Sequence, residues 1–170
     1  MRLYPGDEPP RIRRISTAGR DSNLTLSEVT FGCHIGTHVD APAHFLAGGA
    51  AVDGLALEHF YGLAEVLFPE DTPGGTGRHL LVKGSEAGLV AECVERLVRF
   101  DPLSIGIEGY SLDPESSSEF PLHLAVARRG LPVFVCLDLT HVEPGEYVYS
   151  ALPLRVAGVE GVPVRAVLLR

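Results

Sequence analysis

The chain has 170 residues, of which 45% are hydrophobic and 21% charged, a size and balance that fit one globular domain with a substantial core and exclude a mainly disordered chain. Fourteen Lys and Arg stand against 22 Asp and Glu, so the net charge of −8 repels phosphate and argues against nucleic acid or an anionic membrane as partner. Apolar runs are broken by Gly, Pro or a charge well short of the roughly 18 residues that span a bilayer. Three widely spaced cysteines (Cys33, Cys93, Cys136), with no CxxC pair and no secretory leader ahead of them, point to a reduced, cytoplasmic setting.

Residues 1–22 are rich in Pro, Gly and Arg without periodicity and read as an extended lead-in lying on the domain. Leu24, Leu26 and Val29 then alternate with polar residues up to Phe31, which predicts a half-buried strand. Gly48, Gly49 and Gly54 mark a turn, Leu55, Leu57, Phe60 and Leu63 suit a short helix, and 64–68 reads as a strand. Turn chemistry over 69–78 leads to a strand at 79–83. With Ser85 as N-cap, Leu89, Val90, Cys93, Val94 and Leu97 at helical spacing predict a helix over 86–99, ended by Asp101-Pro102. An apolar strand at 103–107, a loop at 110–118 and a second helix from about 119 to 129, stopped by Gly130, follow. The segments 133–139, 147–156 and 162–169 read as strands. Several strands with two helices mean α/β or α+β, and the pattern alone does not choose.

Chemistry concentrates in His34-Ile35-Gly36-Thr37-His38-Val39-Asp40-Ala41-Pro42-Ala43-His44, which holds three of the seven histidines and a carboxylate within eleven residues. Neutral imidazoles with a carboxylate suit Zn²⁺ or Mn²⁺, and three protein ligands leave room for a reactive water. Gly36 lets the backbone turn so that His34 and His38 can face one point. His44, four residues past the carboxylate, suits proton transfer near neutral pH.

Other features read as structural. His59, His79 and His141 fit packing or loop roles, and Cys33 a buried thiol turned away from His34. Thr37, between two candidate ligands, is placed to hydrogen-bond a ligand or the turn backbone. Gly74-Gly75-Thr76-Gly77 lacks the Lys-Ser/Thr pair of a phosphate loop. No GxSxG or GxGxxG is present, so serine-nucleophile and nucleotide chemistry have no anchor.

The string HIGTHVDAPAHF resembles the HxGTHxDxPxHF signature of the putative cyclase family, metal-dependent hydrolases of the kynurenine formamidase and isatin hydrolase type. The resemblance continues through Tyr4-Pro5-Gly6-Asp7, Ile105-Gly106-Ile107-Glu108, Ser111-Leu112-Asp113-Pro114, Pro121-Leu122-His123 and the closing segments around Leu152-Pro153-Leu154 and 163–167. It implies an α/β chain folded as one swivelling β/β/α domain over 1–170, with a mixed sheet and about two main helices, acting as a homo-oligomer, usually a dimer. It implies a hydrolase that opens a small cyclic or aryl amide or lactone, with His34, His38 and Asp40 as metal ligands and His44 as general acid/base. In two-metal members the equivalent of His123 and a glutamate twelve residues later bind a second ion. Here that position is Val135, which offers no ligand atom, so one ion per chain is expected, with His123 beside it as a weak ligand, a support or a substrate contact. The same missing ligand leaves a metal-dependent lyase, cyclase or dehydratase, or a non-catalytic ligand-binding relative, as competing readings.

Overall fold

The computed structural model describes residues 3–4 and 6–170, so Met1, Arg2 and Pro5 of the expected Tyr4–Asp7 turn lie outside the described residues. The backbone N–H of Asp7 bonds the Tyr4 carbonyl at 3.0 Å. Ten strands are present among the described residues: β1 (Arg11–Ser16), β2 (Leu26–Thr30), β3 (His38–Asp40), β4 (Tyr61–Leu67), β5 (His79–Val82), β6 (Ser104–Ile107), β7 (Val133–Val135), β8 (Gly145–Ser150), β9 (Gly161–Pro163) and β10 (Val167–Leu169). Two helices, α1 (Ala91–Val98) and α2 (Pro121–Ala127), accompany them.

Eight strands form one mixed sheet in the order β10-β8-β4-β5-β6-β7-β3-β9. The core β4, β5, β6 and β7 run parallel, while β3, β8, β9 and β10 pair antiparallel. Pro163 ends one edge strand and Val167 begins the other, so two edges of an eight-stranded sheet lie only four residues apart along the chain. The sheet must therefore curl back on itself. Strand alternation divides its side chains between two cores. Leu80, Val82, Ile105, Ile107, Val133 and Val135 meet Cys93, Leu97 and Val126 of the helices. Val39, Ala64, Val66, Leu81, Phe134 and Tyr149 fill the inside of the curl.

Several elements differ from the sequence expectation for physical reasons. The lead-in contains β1, which forms a two-stranded antiparallel hairpin with β2, tied by Arg13 to Glu28 at 2.8 and 3.2 Å. The β2 strand is exposed along its whole length instead of half-buried. The short helix expected at 55–63 is a single 3-10 turn, Leu57–His59, because the chain extends into β4 three residues before Ala64. The first helix starts at Ala91, not 86: Ser85 donates its hydroxyl to the Val82 carbonyl and accepts the Glu108 N–H, so it braces two strands and caps nothing. The second helix, likewise shorter, spans Pro121–Ala127 after Phe120 in a left-handed conformation. The strand expected at 133–139 stops at Val135, since Cys136 has φ +55°. Ser150 ends β8 well before 156, and 162–169 splits into β9 and β10.

Candidate metal centre

Asp40 and His38 project from the same face of β3 and are both buried. His34 approaches from the preceding turn, where Gly36 at φ +62° reverses the backbone as a side-chain-bearing residue rarely can. His34 Nδ1 lies 2.7 Å from Asp40 Oδ1, and His38 Nε2 lies 3.2 Å from that same oxygen. The far nitrogen of His38, Nδ1, donates to the Gly36 carbonyl at 2.8 Å, which fixes the ring with Nε2 turned toward Asp40. One ligand atom from each of His34, His38 and Asp40 lies within 4.8 Å of the other two. Two imidazoles and a carboxylate converging this closely fit a divalent ion such as Zn²⁺ or Mn²⁺.

The polar shell sets the charges. Burial pushes the Asp40 carboxyl up, but hydrogen bonds from His34 and His38 outweigh it and hold the group well below the usual carboxylate range. His34 is driven down by burial and driven up further by Asp40 and then Glu160, with a net rise. Burial lowers His44, whose ring is partly offset by the Asp40 charge.

His44 ends a 3-10 turn, Pro42–His44, and its ring stacks on His34 with centroids 4.0 Å apart. His123 projects from α2; its Nδ1 bonds Asp113 Oδ2 at 2.7 Å and its Nε2 faces Asp40 Oδ2 at 4.0 Å. Asp113 also accepts the backbone N–H groups of Leu122 and His123, which anchors α2 to the loop before it. Phe45 stacks on His123 at 4.3 Å. These groups open onto a cavity of about 390 Å³, whose walls include Phe45, Tyr110, Phe120 and Cys136.

All five expected residues thus border one cavity; the donor atoms of His34, His38 and Asp40 converge there, and so do those of His34, His44 and Glu160. Sequence reading missed Glu160, whose Oε1 lies 3.2 Å from His34 Nε2 across 126 positions of chain, and gave Asp113 no role. Val135 pairs directly with His38 and brings no donor atom. Glu108 is committed to the fold, accepting the N–H groups of Gly84 and Leu139.

The residues read as structural behave so. His59 bonds the Leu103 carbonyl, His79 is fully buried against Ser104, and His141 is exposed. Thr37 donates to the Cys136 carbonyl instead of supporting a ligand. Cys33 departs from the expected buried thiol, being only half-buried, in a turn. The Gly74 and Gly75 N–H groups bind the Glu65 carboxylate and Thr76 binds Glu146, which occupies the loop that superficially suggested phosphate. No helix among the described residues is long and apolar enough to cross a membrane.

Comparison with known proteins finds relatives along almost the whole chain. The family model described as Putative cyclase matches residues 2–79. The kynurenine formamidase of Bordetella pertussis is 32% identical over 98% of this chain and 90% of its own length. That of Salinibacter ruber is 31% identical over the same shares. Among solved structures, isatin hydrolase A from Ralstonia solanacearum superposes with a TM-score of 0.79 at 21% identity, covering 100% of this chain and 86% of its own. A structure described as a potential metal-dependent hydrolase with cyclase activity superposes at 0.78 with 19% identity, covering 99% and 92%. Fold, site and relatives define an enzyme of the hydrolase class. The chain belongs to the putative cyclase family.

Proposed function

We propose that the chain is a metal-dependent hydrolase that opens small aryl or cyclic amides or lactones. The observation that carries this is the convergence of His34 Nδ1 and His38 Nε2 on Asp40 Oδ1 at the wall of an aromatic-lined cavity. His34, His38 and Asp40 hold one Zn²⁺ or Mn²⁺ per chain, Val135 standing where a second carboxylate would be needed. A divalent ion there supplies Lewis acidity and brings the pKa of a coordinated water toward neutrality.

The side chains supply the rest. His44, anchored by its stack on His34, takes a proton from the attacking water and returns it to the leaving nitrogen or oxygen. His123, whose ring is fixed by Asp113 through Nδ1 and by the Leu112 N–H donating to Nε2 at 3.4 Å, lies on the Asp40 side of the cavity and contacts substrate or lends a weak fourth ligand. Phe45, Phe120 and Tyr110 give flat apolar walls, which suits an aromatic substrate and excludes bulk water around it. The relatives' names select the first compounds to try: N-formyl arylamines and isatin-like lactams.

We also propose a single domain over 1–170, a cytoplasmic setting, in keeping with three widely spaced cysteines and no CxxC pair, and a homo-oligomer. The hairpin of β1 and β2 leaves Ile12, Leu26 and Val29 more than half or about half exposed, and an isolated two-stranded hairpin is marginal in water, so a second copy is the natural cover.

The test is a panel of these amides and lactones run in ¹⁸O-water with chelator-treated and zinc-restored protein. Hydrolysis places solvent oxygen in the product, only with metal present. Turnover without solvent oxygen would instead assign a lyase or cyclase. His44→Ala is expected to retain zinc while losing about 10²-fold or more in kcat.

A further inference from the structure

The two imidazoles that converge on Asp40 are held by the same device. His38 turns Nε2 toward Asp40 and gives its far N–H to the Gly36 carbonyl at 2.8 Å. His34 turns Nδ1 toward Asp40, and its far nitrogen Nε2 faces Glu160 Oε1 at 3.2 Å. An imidazole offers a cation one lone pair when its other nitrogen keeps a proton, and an acceptor on that proton fixes both tautomer and ring rotation. From this parallel we infer that Glu160 is a positioning residue: its carboxylate holds the Nε2 proton of His34 and so aims the Nδ1 lone pair at the point shared with His38 and Asp40. The inference rests on the reading of those three residues as ligands.

The backbone around Glu160 is placed for the task. Its carbonyl accepts the Ala41 N–H at 2.8 Å, and the neighbouring Val159 carbonyl accepts the Val52 N–H at 3.0 Å. The residue after it begins β9, which pairs Gly161 with Asp40 itself. Glu160 is therefore registered to the same strand that carries the carboxylate ligand. Gly161 supplies the room: a Cβ there would lie 2.5 Å from His34 Cε1 and 3.0 Å from both His34 Nδ1 and the Val39 carbonyl. A carboxylate on one side, an absent side chain on another and the His44 ring stacked on the face leave His34 a single slot.

A competing arrangement exists. His34, His44 and Glu160 also present three donor atoms within 4.8 Å of one another, so Glu160 could bind an ion directly. That arrangement would take Nε2 of His34 as a ligand, strip it of its proton and remove His44 from proton transfer.

Zinc alone serves as the probe, in competition with a chromogenic chelator, for the parent protein and for Glu160→Ala and Glu160→Gln. The Glu160 side chain is about two-fifths exposed, and besides His34 it engages its own backbone N–H, so both variants should fold, which thermal melts check. Removing a carboxylate that supports a ligating histidine costs about 10- to 100-fold in metal affinity, which is the loss expected for Glu160→Ala. Glu160→Gln keeps an acceptor oxygen and should recover much of it. In ¹⁵N spectra of the zinc-loaded protein, His34 Nε2 should carry a slowly exchanging proton in the parent and in Glu160→Gln, and lose its protection in Glu160→Ala. Equal zinc affinity in the parent and Glu160→Ala, or a zinc-bound Nε2 on His34, would overturn the inference. A parent protein that binds no zinc at all would look different from either outcome, and would overturn the underlying reading together with this one.

Discussion

Val135→Glu is the most informative substitution, because it restores a donor that the structure lacks at a position whose surroundings are known. Val135 pairs with His38 across β3 and β7, so the two side chains share a face with Cβ atoms about 5 Å apart. That face is the one from which Asp40 and His123 also reach each other. Val135 is fully buried among apolar residues of the helix-side core. Without metal, a carboxyl there must be neutral; against an unfolded pKa near 4.3, protonating it at pH 7 costs about 4 kcal/mol. For a chain of this length about 4 kcal/mol lowers Tm by roughly 8–16 °C. Zinc in hundredfold excess over its dissociation constant would restore roughly 2.7 kcal/mol. The assay is thermal unfolding in chelator and in zinc, with the ion-to-chain ratio measured by elemental analysis: one ion for the parent, two for the variant. A variant that melts within about 2 °C of the parent in chelator and binds no further zinc would show that residue 135 does not face the imidazoles, and would refute the reasoning.

Two predictions concern the scaffold and one the site. Burial holds the His79 imidazole down at about 4, against a smaller opposing pull from a hydrogen bond to the Tyr61 backbone. Below its unfolded pKa of about 6.5 the unfolded chain binds more protons than the folded one, so this contribution is complete above about pH 6.5 and is lost as pH falls toward 4. Urea unfolding at pH 7 and pH 4.5 should show a drop about 1–3 kcal/mol larger in the parent than in His79→Gln; equal drops would contradict it. Leu97→Ala, at a fully buried α1 position, should cost about 2–5 kcal/mol in the same assay. Gly49→Ala would set a Cβ 2.7 Å from the Pro42 carbonyl group, forcing the turn that carries His44 to shift. A loss of about 1–3 kcal/mol with a lower kcat at unchanged zinc affinity is expected, and wild-type kcat would count against the placement of His44.

What was legible in the sequence was local. The apolar runs of β5 and β6 and the helical spacing of Cys93, Val94 and Leu97 identified their elements, because each is buried and each periodicity is short-range. The donor cluster was legible for the same reason, all of it lying between His34 and His44. Features decided by distant partners were hidden. The first strand reads as an Arg-rich lead-in until Arg13 is seen against Glu28 in the opposite strand. Val162 and Leu168 share one apolar run, yet they belong to opposite edges of a curled sheet, a fact of closure that no local pattern carries. Glu160 had no signal beside it, since its histidine lies 126 positions earlier.

The most direct test of the account is anomalous diffraction at the zinc edge from crystals of the zinc-loaded protein. One peak per chain, bounded by His34 Nδ1, His38 Nε2 and a carboxylate oxygen of Asp40, is the predicted result. No peak among those three atoms, or imidazole rings turned away from one another, would contradict it.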